Sequence, residues 1–157
     1  MTSVKDTVKK QYTRLANKAA LQFSMFQAPK IGWVEIMRKA LGMTAPELAR
    51  RMGVTKAAIY QVERKELDGG VTLQQMDKLA TALGGRFVYS IIPENSIEDM
   101  LKNQAHKKAE NIIRRANSHM ALEQQSLTLE KNNDEIELLA EELLRKRPSD
   151  FWKENSV

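Results

Sequence analysis

Apolar residues recur along most of the chain at intervals of three and four, which is the spacing of an amphipathic helix. From Val4 to Ala19 they fall on one helical face, with Lys and Arg residues around it. The stretch "WVEIMRKAL" predicts a short second helix. Four of its apolar residues are predicted to point inward: Trp33, Ile36, Met37 and Ala40.

A pair of apolar runs separated by a glycine follows in "TAPELARRMGVTKAAIYQVERKE". Thr44 with Glu47 forms a capping box, and Thr55 is placed to cap the next helix. Gly53 provides the backbone freedom that a tight turn requires, and Ala49 is small enough for a close crossing of helices. The expected common underside of the two helices consists of Leu48, Met52, Val54, Ile59 and Val62. This pattern predicts two helices that cross through a short turn. The alternative is a helical hairpin within another all-α bundle.

The segment "RFVYSIIP" is rich in aromatic and β-branched residues, and Pro93 ends it. It predicts the one β-strand of the chain. Because a lone strand cannot satisfy its own backbone groups, we expect it to pair with its copy across a two-fold axis.

Ser96 is placed to cap a long helix that continues to Met120. The segment "EKNNDE" is expected to break it, and "EIELLAEELLRK" predicts a last acidic helix. The expected organisation is therefore a basic N-terminal helix over residues 1–30, a helix-turn-helix domain with a terminal strand over 31–94, and a helical region for dimerisation or partner binding over 95–157. The fold class is mainly α with one strand.

Charge is unevenly distributed along these 157 residues, whose formal net charge is +5. The first 30 residues contain six basic and one acidic residue, whereas the chain from Lys131 onward contains five basic and seven acidic residues. A basic front suits an anionic partner. Without cysteine, signal peptide or membrane-spanning run, the chain is expected to be soluble and cytoplasmic, with no membrane partner.

Catalytic chemistry is poorly represented. His106 and His119 lie thirteen residues apart, which is not the spacing of a helical metal pair, and no Gly-rich phosphate loop or thiol nucleophile is present. We therefore expect a protein that is not an enzyme, with no cofactor and no metal site.

The stretch over residues 31–84 resembles the lambda-repressor and Cro-like DNA-binding domains. The resemblance implies that the helix from Lys56 to Lys65 enters the major groove. Lys56 is then placed to contact guanine, Gln61 adenine, and Ala57 a thymine methyl, while Arg64 and Lys65 contact phosphates or remain solvated surface charges. The complete set of candidate DNA-binding residues is Thr44, Thr55, Lys56, Ala57, Tyr60, Gln61, Arg64 and Lys65.

One position departs from that family. Many relatives carry glutamine just after the cap of the first of the two helices, and here that position is Ala45. The departure implies either a weaker affinity for DNA or a dependence on the basic N-terminal segment.

Taken over nearly its full length after Lys30, the chain resembles the "mobile mystery protein A" family. The resemblance runs through "GWVEIMRKALGMTAPELARRMGVTKAAIYQVE", "TLQQMDKLATALGGRFVYSIIP", "SHMALEQQ" and "LLRKRPSDFW". Members are helix-turn-helix proteins found beside a Fic-domain protein, an enzyme type that transfers AMP from ATP to protein hydroxyls. The resemblance implies an antitoxin-like homodimer that binds an inverted-repeat operator, represses its own promoter and inhibits the Fic partner.

The inhibitory helix of Fic systems has Ser or Thr, three residues, Glu, then Gly or Asn. The two polar residues share a helical face, so that the Glu can occupy the arginine that would hold the ATP γ-phosphate. Two stretches approach this motif without matching it fully. "HMALEQ" offers Glu123 with His119 or the neighbouring Ser118, and "SLTLEK" offers Ser126 with Glu130. Glu123 is the preferred candidate, because "MALE" lies in the part of the chain that resembles the family and Ala121 is small enough for a close approach of helices. Glu130, by contrast, precedes the expected helix break.

Two other functions fit the same sequence. One is a stand-alone dimeric transcription regulator, and the other is a protein-interaction module without DNA binding. A neighbouring gene with a Fic motif separates the first from the antitoxin.

Overall fold

The structure, a computed structural model, describes residues 3–120 and 129–154, with side chains for residues 3–118 and 131–154. Within these ranges the chain is mainly helical, as predicted. Its seven helices are α1 (Val4–Phe23), α2 (Trp33–Ala40), α3 (Ala45–Met52), α4 (Lys56–Leu67), α5 (Leu73–Ala82), α6 (Ile97–Met120) and α7 (Leu129–Lys146). The chain divides into two compact units. The head unit is Phe23–Ser90, and the tail unit consists of the described parts of residues 1–22 and 91–157.

The head unit contains α2 to α5 around one apolar core. Its fully buried side chains are Leu48, Ile59 and Leu79, and Ala49, at 4% exposure, lies among them as predicted for the crossing of α3 and α4. Gly53 ends α3 in the left-handed conformation, with φ of 66°. Val54 is 43% exposed, so the prediction that it joins the underside is wrong. It lies in the turn between the helices, where its side chain has no core to face.

The inward face predicted for α2 is wrong in most of its residues. Val34 and Arg38, four residues apart, are the buried ones, whereas Trp33 and Met37 are 44% and 36% exposed. The physical reason is a buried ion pair between Arg38 and Glu63 of α4. That pair rotates the helix so that a charged residue takes a core position.

The predicted strand over residues 86–93 is also wrong, because no strand forms anywhere in the described part of the chain. Phe87 and Tyr89 stack with ring centroids 6.0 Å apart, as side chains two positions apart do on extended backbone. Val88 and Ile91 are 61% and 90% exposed. A β-propensity pattern forms a strand only where a second strand lies alongside, and the described residues provide none.

In the tail unit, α6 and α7 pack against each other. Asn117 bonds to Asn132 and His106 lies 3.8 Å from Glu137, so the two helices run antiparallel. Their shared core is small, built on alanines and leucines with Phe151. The expected break at "EKNNDE" is wrong, because α7 begins at Leu129 and runs through this segment.

The segment after α7 folds back onto α6 through a buried lysine. Lys108 is 5% exposed, and its ammonium lies 2.9 Å from a carboxylate oxygen of Asp150. Gln104 donates a 2.7 Å hydrogen bond to the Phe151 carbonyl. The hydrogen bond from Lys108 lowers the pKa of the Asp150 carboxyl below its ordinary value.

Within the tail unit, helix α1 is bonded to the start of α6. The Asn17 side chain accepts a 3.0 Å hydrogen bond from the Ile97 amide and donates one of 2.9 Å to Glu98. Ser96 caps the same helix start by accepting from the Asp99 amide, as predicted. Among the described residues, no helix has the length and apolar content needed to cross a bilayer.

Candidate nucleic-acid interface

Two capped helices and a tight turn build the candidate interface. Thr44 and Glu47 form the predicted capping box at α3, with Glu47 accepting a 2.6 Å hydrogen bond from the Thr44 amide. The Thr55 hydroxyl accepts from the Ala58 amide at 3.2 Å and starts α4. Both threonine hydroxyls therefore act as caps, which fixes where each helix begins. Ala45, at 2% exposure, is buried in the core.

The remaining candidates lie on α4, and the structure leaves all of them exposed. They share the outward face of the helix: Lys56, Ala57, Tyr60, Gln61, Arg64 and Lys65. Ile59 and Glu63, on the opposite face, are buried. The helical spacing of three and four residues brings the exposed set together.

The two carboxylates of α4 both point away from this face. Glu63 pairs with the Arg38 guanidinium through contacts of 2.7 and 3.1 Å. Glu66 accepts hydrogen bonds from the Trp33 and Val34 amides at 2.6 and 3.1 Å. The outward face of α4 therefore presents positive charge only, together with neutral side chains, and no ion pair to a described residue neutralises Lys56, Arg64 or Lys65.

Arg38 fixes the position of α4 relative to the preceding elements. In addition to its two bonds with Glu63, it donates a 3.2 Å hydrogen bond to the Met43 carbonyl in the loop before α3. The hydrogen bonds with Glu63 raise the pKa of the Arg38 guanidinium above its ordinary value. The pair thus joins α2, the loop before α3, and α4 at one buried point. No buried side-chain nitrogen or oxygen of the described residues lacks a hydrogen-bond partner.

Tyr60 lies between that buried pair and the outward face. Its ring centroid is 6.0 Å from the guanidinium carbon of Arg38 and 5.7 Å from the ammonium of Lys56. Both distances are within the range of cation–π contacts. The ring therefore restricts the position of Lys56. Lys56 and Gln61 are the two candidate base contacts whose side chains can donate a hydrogen bond.

Glu66 caps the start of α2, although more than thirty residues of the sequence separate them. The residue before α2, Gly32, makes no side-chain cap and has φ of 85°, a left-handed conformation that favours glycine. A Cβ on Gly32 would lie 2.9 Å from a carboxylate oxygen of Glu66. Glycine is therefore needed both for the backbone conformation and for the approach of Glu66.

Arg38, Glu63 and Glu66 were absent from the predicted site. A signal for the first two exists in the sequence: Arg38 follows the apolar Val34 by four residues, and Glu63 follows Ile59 by four. Each charged residue therefore lies on the same helical face as an apolar residue of the core. Opposite charges in such positions on two neighbouring helices indicate a buried ion pair. No comparable signal exists for Glu66, because the group that it caps lies in another helix.

Of the candidate residues for partner inhibition, the structure describes only some. Ser118 is exposed near the end of α6, and its hydroxyl donates to the Arg114 carbonyl at 2.9 Å. His119 lies in α6 and Glu130 in the first turn of α7, without described side chains. Glu123 and Ser126 lie outside the described residues.

Comparison with known proteins agrees with this geometry. A family model described as "Helix-turn-helix" matches residues 34–89, which span α2 to α5 and the extended segment after them. No curated protein and no solved structure gives a significant match. The family consists of DNA-binding domains rather than enzymes. Residues 34–89 therefore form a lambda repressor-like helix-turn-helix domain.

Proposed function

We propose that the protein is a transcription regulator that binds an inverted repeat in its own promoter as a homodimer, with α4 in the major groove. The observation that carries this proposal is the outward face of α4. Its two carboxylates are used internally, so that Lys56, Arg64 and Lys65 present uncompensated positive charge. Uncompensated cations on an exposed helix favour the phosphate backbone, and Gln61 is placed among them for a base edge.

The test uses the full chain and a duplex of its own promoter. We expect the protein to bind the promoter duplex with an affinity about a thousand times that for a scrambled duplex of equal length, or higher. Specific sites typically show this ratio at physiological salt. Fluorescence anisotropy at two salt concentrations measures both affinities. Equal affinity for the two duplexes would refute sequence-specific regulation, and no binding to either would favour the interaction module without DNA binding.

The finer proposal is an antitoxin that inhibits a Fic-domain AMP-transferase in the same cytoplasm. Its support is the resemblance of "SHMALEQQ" and "LLRKRPSDFW" to the family found beside Fic proteins. The preference for Glu123 over Glu130 now depends only on that resemblance and on the small Ala121, because α7 includes Glu130 in a continuous helix. In either position the carboxylate would occupy the arginine that holds the ATP γ-phosphate.

Two matched glycine variants test the antitoxin role. We expect Glu123→Gly to raise AMP transfer by the co-purified Fic partner about 10- to 100-fold, the effect of one lost charge-assisted hydrogen bond. Glu130→Gly is the control, and the complex is expected to persist in both variants. Release by Glu130→Gly alone would move the inhibitory site to "SLTLEK". Release by neither would mean that the partner is inhibited by occlusion or through repression of the promoter alone.

A further inference from the structure

Helix α1 has an apolar face that the described residues of the chain leave exposed. None of its 20 residues is buried, and Val4, Tyr12 and Leu15 are 80%, 68% and 68% exposed. These three side chains lie on one side of the helix. An isolated helix of this length is marginal in water, and an amphipathic face normally packs against another surface. We therefore expect the apolar face of α1 to pack against another surface.

The charges around that face define what the partner must present. The apolar stripe is flanked by Lys5 on one side and by Arg14 and Lys18 on the other, with Lys9 and Lys10 beyond. None of these five cations forms an ion pair with another described residue. A matching surface would carry an apolar side chain surrounded by carboxylates, since opposite charges around an apolar contact fix its register.

Helix α7 carries such a surface at its midpoint. Leu138 is 68% exposed, although the neighbouring Leu139 contributes to the core shared with α6. The four residues that surround Leu138 on the helix, three and four positions away on each side, are all acidic and exposed: Asp134, Glu135, Glu141 and Glu142. Only Glu142 has an ion-pair partner among the described residues, which is Lys146.

We propose that α1 of one copy packs its apolar stripe onto Leu138 of α7 in a second copy, and that the second copy returns the same contact. The two helices have 20 and 18 residues, or about 30 and 27 Å, so they match along their whole length. Tyr12 and Leu15 lie near the centre of α1, as Leu138 does in α7.

A second copy fits better than the helix's own chain. Within one chain Asn17 attaches α1 to the start of α6, and both the α1 stripe and Leu138 stay exposed. An exchange between two copies buries both surfaces twice and has the closed two-fold symmetry of most homodimers. The inference rests on the proposed dimeric regulator and replaces the segment 86–93 as its seam.

Charge reversal provides the test. The α1 variant is Arg14→Glu with Lys18→Glu, and the α7 variant is Asp134→Lys with Glu141→Lys. We expect the full-length wild type to be a dimer in sedimentation velocity, and each variant to dissociate with a Kd raised about tenfold or more, because like charges then face each other. A 1:1 mixture of the two variants is expected to form a heterodimer with two complementary contacts, one between the two reversed helices and one between the two unaltered helices. Both reversals in one chain are expected to restore the homodimer.

A matched reversal on the head unit, Lys78→Glu with Arg86→Glu, is the control and should leave the dimer unchanged. Circular dichroism at 222 nm confirms that each variant is helical. A monomeric wild type, or a dimer indifferent to both reversals, overturns the proposal. The proposal also fails if both variants are folded and dissociate singly but do not recombine when mixed, because the two surfaces then do not face each other.

Promoter binding, measured separately, distinguishes the two proposals. A dimer that shows charge-swap behaviour but does not bind its promoter would refute the regulator and keep the seam. If the protein binds its promoter and neither reversal changes the dimer, the regulator stands and the contact between α1 and α7 is refuted. A weaker affinity for DNA in the α1 variant with an unchanged dimer would assign the α1 cations to phosphates and overturn the seam.

Discussion

The substitution Arg38→Ala lowers the free energy of unfolding of the head unit by about 3–5 kcal/mol. It leaves the Glu63 carboxylate, only 6% exposed, without its partner in the core, and it removes the bond to the Met43 carbonyl. For a unit of this size that loss is most of the stability available. We expect the Arg38→Ala chain to be largely unfolded in this unit at 37 °C.

Urea unfolding of the full chain measures the loss. In a Trp152→Phe background, Trp33 is the single remaining tryptophan of the two in the chain and reports the head unit alone. The matched control is Lys39→Ala, which removes the exposed pair with Glu35 and should cost about 0.5 kcal/mol or less. A loss below about 1 kcal/mol for Arg38→Ala would mean that water reaches Glu63. The double variant Arg38→Met with Glu63→Leu should recover most of the stability, because it buries no unpaired charge.

The second large effect is expected on operator binding. Gln61→Ala should weaken binding to the operator by about 5- to 150-fold, since a bidentate base contact is worth about 1–3 kcal/mol of discrimination. Binding to a scrambled duplex should hardly change, because no base is recognised there. Gln74→Ala, an exposed glutamine on α5, is the matched control. Equal loss for both duplexes would assign Gln61 to the backbone.

Arg64→Ala serves as the contrasting variant in the same experiment. Because Arg64 is expected to contact a phosphate, its replacement by Ala should weaken binding to both duplexes by a similar factor. It should also reduce the slope of log affinity against log salt concentration by about one. Lys78→Ala on α5 controls for the loss of one surface charge. If neither Gln61→Ala nor Arg64→Ala changed operator affinity, the assignment of α4 as the recognition helix would be wrong.

The helix-turn-helix was predictable because its determinants are local. Thr44, Gly53 and Thr55 each act within a few residues of their own position, so capping and turn rules locate the helices directly. Ala49 is an equally local signal for the crossing. The exposed face of α4 follows, since it is the side opposite the buried Ile59.

The errors arose where distant residues decide the local structure. "RFVYSIIP" has the composition of a strand, but the described residues offer it no partner strand. In α7 the asparagines at 132 and 133 are poor helix formers, yet a 3.1 Å bond between Asn132 and Asn117 and the packing of Ile136 against α6 outweigh that small propensity. Arg38 takes a core position only because Glu63 lies opposite.

Glu66 of α4 caps the start of α2, so the opening of one helix is coupled to the opening of the other. The Trp33 and Val34 amides keep their acceptor only while the end of α4 stays folded. We therefore expect opening of α4 to expose these protons to solvent and to loosen the first turn of α2 in the same step. A duplex that holds α4 closed would slow hydrogen exchange at Trp33 and Val34, two amides on a different helix from the one that we propose to contact the bases. The exchange rates of α2 would thereby report whether α4 occupies a groove.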